Sequence, residues 1–230
     1  MNRRTLLKSP LAIGASALLG VHLANCTAPP AASPSGPSSP GGVTPQTGNT
    51  PAETTTPGSK VLLAYFSRAG ENYYYGEATT LKVGNTEVVA DLISSAVSVD
   101  VYRIEAAEPY PDSYRATVER NVKEQNEDAR PAIAGSLPAV GTYDTVLLGS
   151  GIWNVRPPMI MRTFVENVDL SGKTIFPFVT YAVSGLGNTI GDYTRLCPRS
   201  TIGKGLAVRG EEARNARADV DTWLRNIGLL

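Results

Sequence analysis

From residue 60 onward the sequence predicts an α/β fold, a doubly wound parallel sheet with helices on both faces. Val61–Phe66 is an unbroken apolar run with no period-two alternation, as a strand buried on both faces of a parallel sheet requires. Runs of the same kind recur at 143–149 and 174–181, separated by amphipathic stretches at helical spacing. Each of the three gives way abruptly to small, hydroxyl-bearing or glycine-rich residues, at the strand ends where open α/β sheets place their ligand crevice. With 42% hydrophobic residues in a chain of 230, there is enough apolar material for a real core.

The first strand ends in Ser67, Arg68, Ala69, Gly70, Glu71 and Asn72. Such residues let backbone N–H groups and hydroxyls converge on an anion, and the shape suits a phosphate; alone, the loop reads equally as an ordinary strand-to-helix turn. After an interruption containing Tyr73, Tyr74 and Tyr75, the chain resumes at Gly84, Asn85 and Thr86. It then enters a helix whose Val88, Val89, Leu92 and Ile93 share a face. A second strand is expected at 99–104. After the break at Pro109–Pro111, residues 114–128 read as a charged helix with Arg115, Glu119, Arg120, Lys123 and Glu124 on a solvated face.

The third strand, 143–149, runs into Ser150, Gly151, Ile152, Trp153, Asn154 and Val155. Trp153 can wall a planar ring or fill the core beneath the loop. Pro157 and Pro158 set the start of a helix through Met161, Phe164 and Val165. The fourth strand ends in Ala182, Val183, Ser184, Gly185, Leu186 and Gly187, a loop that allows either close backbone approach or a flexible turn. A short helix at 190–196, a last strand at 205–208 and a final helix at 211–227 close the fold, with Glu211 and Glu212 placed to meet the last helix's N-terminal dipole. Cys197 reads as a small buried hydrophobe, and Trp223, beside Val220 and Leu224, as core.

Three stretches together resemble one family: AYFSRAGEN followed by GNTEVVADLI, Trp153 ahead of the Pro157–Pro158 pair, and the T-x-x-x-S-G-x-G loop from Thr180 to Gly187. They are similar to the flavodoxin-like family, in the branch where an insertion splits the phosphate loop, over roughly residues 60–230. The resemblance implies a five-stranded sheet in the order 2-1-3-4-5 and a non-covalent FMN. It places the phosphate over Ser67, Arg68, Ala69, Asn72 and the Asn85–Thr86 helix start. Ile152, Trp153, Asn154 and Val155 would face one side of the ring, and Thr180, Ala182, Ser184, Gly185 and Gly187 would line another edge. The implied chemistry is electron transfer through the flavin, with no catalytic side chain required. The chain would then be a shuttle for a redox partner protein, or a reductase passing electrons from NAD(P)H to quinones or other small acceptors. A non-redox module holding another phosphate ligand on the same fold is the alternative. The third loop, 181–188, has no Asp or Glu, so negative charge arriving on a ring there meets little local repulsion. Residues 73–83 are expected to form a flap over the site.

Composition narrows the chemistry independently. Basic and acidic residues balance at 21 each, but Arg3, Arg4 and Lys8 lie in an N-terminal segment with the marks of a signal peptide; its removal leaves 18 against 21, a net charge of −3. No basic patch is visible, which argues against a nucleic-acid partner. The one histidine, His22, lies in that segment as well, so no Ser-His-Asp system and no histidine metal site is expected in the domain. Cys26 and Cys197 cannot make a CxxC pair or a thiolate cage.

Residues 1–25 are read as an export signal: a basic start, then an apolar run too short to span a membrane. The arginine pair resembles a twin-arginine signal, with an ordinary basic leader as the alternative. Leu23-Ala24-Asn25-Cys26 resembles a bacterial lipobox, which would make Cys26 a lipidated residue and the protein an exported, membrane-anchored lipoprotein. Residues 26–59 then form a tether. Eight prolines and one charge, Glu53, in residues 27–59 cannot support a packed core.

Overall fold

The structure, a computed structural model, describes residues 60–230. The expected signal segment, Cys26 and the tether lie outside the described residues.

Strand β1 (Val61–Phe66) is buried along its whole length. Because successive side chains point to opposite faces, its residues divide between two cores. Val61, Leu63 and Tyr65 join Val89, Ile93, Phe178, Val220 and Trp223 on one side, while Leu62, Ala64 and Phe66 join Ile160, Phe164, Ile175 and Tyr193 on the other. The unbroken apolar run is thus two interleaved half-strands, one per core. Trp223 and Cys197 are buried as the sequence predicts.

β1 lies between β4 (Asp100–Ile104) and β5 (Thr145–Gly151), and β6 (Thr174–Tyr181) pairs with β5, all parallel. The fifth position is divided. β7 (Thr201–Ile202) pairs with the start of β6, and β8 (Leu206–Arg209) pairs with its end, so the expected single strand at 205–208 becomes two pieces of one edge. The sheet therefore has six strands in five positions, in the order 2-1-3-4-5. Helices α1 (Asn85–Ala96) and α5 (Arg217–Asn226) carry residues of one core, and α3 (Met159–Asn167) and α4 (Thr189–Leu196) carry residues of the other.

Three local features differ from the sequence-based expectation. The insertion after β1 is an antiparallel hairpin, β2 (Gly70–Tyr74) and β3 (Glu77–Leu81), turning at Tyr75–Gly76. The expected final helix begins later: residues 210–215 form a 3-10 turn that uses Glu211 and Glu212 for tertiary contacts, and α5 starts at Arg217. Helix α2 (Tyr114–Asn126) does keep Arg115 and Glu119 on an exposed salt-bridged face. Glu124 is not on that face. It is buried, accepting a hydrogen bond from the Tyr110 hydroxyl at 2.8 Å and another from Arg120 Nε at 2.7 Å, while the Arg120 guanidinium covers the Tyr110 ring at 4.0 Å. A buried carboxylate needs such partners.

Candidate functional site

The carboxyl ends of β1, β5 and β6 open together into a cavity of about 340 Å³. Its floor begins where Phe66 and Ser67 leave β1. The Ser67 side chain is buried and accepts the backbone N–H of Glu87 at 3.1 Å, which fastens the loop to the first turn of α1. That helix has Gly84 at its N-cap, which offers no side chain, so with Ser67 taking the Glu87 N–H it is the N–H groups of Asn85 and Thr86 that are left for another acceptor. Glycine is required there: a Cβ on Gly84 would fall 2.3 Å from Ser67 Oγ. Thr86 lies against the end of β6 through a buried hydroxyl pair, Thr86 Oγ1 and Thr180 Oγ1, 2.8 Å apart. Asn85 and Thr86 line the cavity beside Ser67.

Arg68 also lines it, but its guanidinium is committed to protein. It donates to the carbonyls of Pro111 at 3.0 Å and Asp112 at 3.2 Å and to that of Glu71. Burial lowers its pKa from the ordinary arginine value, with Asp112 and Glu71 opposing. Arg68 therefore shapes the loop after β1 by holding the 111–112 turn. Asn72 and Tyr73, on β2, continue the wall, and Asn72 Nδ2 donates to the Gly70 carbonyl at 3.0 Å.

Trp153 belongs both to the core and to the cavity lining. It packs edge-on against Phe66 and Tyr110, with ring centroids 5.7 and 5.0 Å away, yet stays half-buried and lines the cavity. The backbone reverses directly after it. The Trp153 N–H bonds to the Arg156 carbonyl at 2.8 Å, with Asn154 and Val155 both in the left-handed region at φ 51° and 62°. A β-branched residue rarely adopts that conformation. It is held by the loop after β6: the Asn188 N–H donates to the Val155 carbonyl at 2.7 Å, and a Cβ on Gly187 would lie 2.3 Å from that same oxygen.

Of the residues the sequence singles out, Ser67, Arg68, Asn72, Asn85, Thr86, Ile152, Trp153, Asn154, Thr180 and Ala182 meet around this one cavity. Ala69, Val155, Ser184, Gly185 and Gly187 do not line it. Val155 and Gly187 brace each other behind the Trp153 turn instead.

Two contributors were missed. Helix α2 supplies a wall through Tyr114, Thr117, Val118, Asn121 and Val122. The stripe Tyr114, Val118, Val122 at i, i+4, i+8 was the available signal, hidden by the charges between. The second is Glu211, a cavity-lining carboxylate from the 3-10 turn after β8. Its Oε1 accepts the Tyr75 N–H at 2.9 Å, and Glu212 accepts the Tyr75 hydroxyl, so the hairpin tip is tied to this turn. The contact with Glu212 pushes the Tyr75 pKa up to about 12. The low negative charge expected from the third loop is thus offset in part by a carboxylate from another element.

Among the described residues no three His, Cys, Asp or Glu side chains come together as a metal site, and no helix is long and apolar enough to cross a membrane. Cys197 is buried, and burial raises its thiol pKa to about 11, which leaves it protonated and unreactive.

The flavodoxin family model matches residues 60–227. Among solved structures, one from Bacteroides eggerthii DSM 20697 described as a flavoprotein is 30% identical, the match covering 75% of this chain and 100% of that one with a TM-score of 0.61. Another from Bacteroides uniformis ATCC 8492, also described as a flavoprotein, is 29% identical over 73% of this chain and 99% of that one, with a TM-score of 0.58. A flavoprotein from Lactobacillus acidophilus NCFM, solved in complex with FMN, shares the fold at 18% identity over 72% of this chain and 99% of that one, with a TM-score of 0.51. No curated protein matches.

Proposed function

From the premise that this chain belongs to the flavodoxin family, we propose that it binds FMN non-covalently and serves as an electron-transfer flavoprotein. One observation carries the reading: the loops after β1, β5 and β6 converge on a single cavity that has a helix start with the N–H groups of Asn85 and Thr86 unbonded at one part of its wall and a half-buried tryptophan at another. The first is chemistry for a phosphate and the second for a planar ring. That the Bacteroides relatives are described as flavoproteins, and that the Lactobacillus fold neighbour was solved with FMN, supports the choice of ligand.

In this reading Ser67, Asn85, Thr86 and the first N–H groups of α1 hold the phosphate. Arg68 acts indirectly by fixing the loop that carries Ser67. Trp153 walls the ring, the Asn154–Val155 turn keeps that wall in place, and Thr180 and Ala182 border another edge. The bound flavin would supply the one- or two-electron chemistry, and the protein sets its environment. The cavity's titratable side chains are Arg68, Glu211 and three tyrosines, so no acid–base pair is required of the protein.

The test is a visible absorption spectrum of the full chain titrated with FMN. Flavin bands that bleach with dithionite and return in air are the expected result; a colourless protein that leaves FMN fluorescence unquenched would mean a non-redox module. A second reading, direct reduction of small planar acceptors, is favoured by Val118 and Val122, which leave apolar surface open on the α2 wall. NAD(P)H oxidation that depends on an added quinone would distinguish that reductase from a shuttle serving a partner protein. We also propose, from Arg3, Arg4, Cys26 and the proline-rich 26–59 segment, that the domain is exported and held at a membrane surface by a lipid anchor. Metabolic labelling with a radioactive fatty acid, lost in Cys26→Ser, tests the anchor.

A further inference from the structure

We propose that Asn121 of α2 is a ligand-binding residue that donates a hydrogen bond from Nδ2 to a carbonyl oxygen of a planar conjugated ring in the cavity. The inference rests on the proposed function only for the presence of such a ring. Asn121 is 3% exposed, yet it lines the cavity, so what remains of its surface faces that space.

Which end of its carboxamide is free follows from a chain of bonds anchored on a backbone atom. The Trp153 carbonyl can only accept, and it receives Gln125 Nε2 at 2.9 Å. Gln125 must then present Oε1 in the other direction, where it accepts from Asn154 Nδ2 at 2.8 Å. The remaining Nε2 proton of Gln125 goes to Asn121 Oδ1 at 3.3 Å. The oxygen of Asn121 is therefore engaged by the network, and Nδ2 is left without an acceptor among the described residues. It is also absent from the sealed, unpartnered polar side-chain atoms of the described residues, which are Ser150 Oγ, Thr189 Oγ1, the Tyr193 hydroxyl and Glu211 Oε2. A nearly buried amide N–H₂ that is neither bonded nor sealed is a donor offered to the cavity.

Its neighbours define what it offers that donor to. Val118 and Val122 flank it with side chains 41% and 40% exposed, and Trp153 lines the same cavity. An apolar surround with one fixed donor favours a flat ring bearing an acceptor over a charged or polyhydroxylated group. The acceptor has two available sources, a carbonyl of the flavin ring itself or the carbonyl of a quinone-type substrate.

The test uses the full chain. Asn121→Asp preserves an oxygen for Gln125 Nε2 while turning the donor into an acceptor; FMN affinity is read by flavin fluorescence quenching, and that of a simple naphthoquinone by tryptophan quenching. The donor's loss weakens the ligand that uses it about tenfold or more. Weakened FMN binding assigns the flavin carbonyl, and weakened quinone binding alone assigns the substrate carbonyl. Unchanged affinity for both overturns the proposal while leaving the FMN-binding reading intact. A wild-type chain that binds quinone through Asn121 but does not bind FMN supports the proposal and overturns the FMN-binding reading, and one that binds neither overturns both. If Asn121→Asp does not fold, Asn121→Ala is compared with Gln125→Ala: weakening beyond the Gln125 variant supports a direct donor, and equal weakening reduces Asn121 to a brace for the Trp153 turn.

Discussion

The turn after Trp153 and the hairpin after β1 both border the cavity, but they are secured by different means. The turn is held by the Trp153 N–H donating to the Arg156 carbonyl, by the Asn188 N–H donating to the Val155 carbonyl, by the Gln125 bridge to the Trp153 carbonyl and Asn154, and by contact with Gly187. That much restraint keeps two non-glycine residues in the left-handed region. The base of the hairpin is well fastened: the Glu71 N–H reaches the Asp112 carbonyl at 2.8 Å, and the Glu71 carboxylate accepts the Tyr114 N–H at 3.0 Å. Its tip hangs from two carboxylates of one surface turn. One border is built for fixed geometry, and the other has a fixed root and a releasable end. If the cavity holds the proposed FMN, the first suits a wall that keeps the ring at one angle and the second a cover that opens to let it in.

The largest effect should come from breaking the rigid side. Gly187→Ala puts a methyl against the Val155 carbonyl and forces a side chain into a positive φ, costing about 3 kcal/mol. A shift in the urea unfolding midpoint measures it, and an unchanged midpoint would mean that the two loops are not coupled. Removing the releasable side acts on exchange instead of stability: replacing residues 73–83 with a short linker should speed FMN release about tenfold, a barrier loss of roughly 1.4 kcal/mol. Stopped-flow displacement by riboflavin would show it, and an unaltered rate would remove the hairpin's role as a cover.

A smaller effect sharpens the contrast. Val155 is half-exposed, so Val155→Asn gives up little burial while relieving left-handed strain, and thermal denaturation should show a gain of about 1 kcal/mol. The subtlest change is at the hairpin tip. The Tyr75 pKa is raised in the folded state, so its tie is complete below the ordinary tyrosine value of 10.0 and is lost as pH climbs through about 12. Ultraviolet titration should find one tyrosine ionising near 12 in the wild type and returning towards 10 in Glu212→Gln. The absence of any change would place the Tyr75 hydroxyl elsewhere in solution.

What could be read in advance follows the same division between local chemistry and tertiary placement. Val61–Phe66 could be read as a buried central strand, since six consecutive apolar residues ending at once in Ser67 and Arg68 have a strand's length and are too few for a typical buried helix. Ser67, Asn85, Thr86, Trp153 and Thr180 could be named because three stretches together resemble one family's pattern; each loop alone reads equally as an ordinary turn or as core. The α2 wall could not be read this way. Its charges dominate the local pattern, and the residues it buries, Thr117, Asn121 and Glu124, are themselves polar, so no apolar stripe marks the buried face. Glu211 and Glu212 looked like helix-dipole partners, because their real partner, Tyr75, lies more than 130 residues away. Gly187 announced close approach by its type but not to what; the answer is a backbone carbonyl of another loop.

The divided outer strand has a consequence of its own. A sheet edge with regular open N–H and C=O groups is a template on which a second molecule can add a strand. Here that border offers two residues at Thr201–Ile202, a break at Gly203–Gly205, and four more at Leu206–Arg209. A neighbour's strand in register with one piece is out of step at the interruption. On this border, unlike the uninterrupted β4 border opposite, strand addition by a second molecule is opposed.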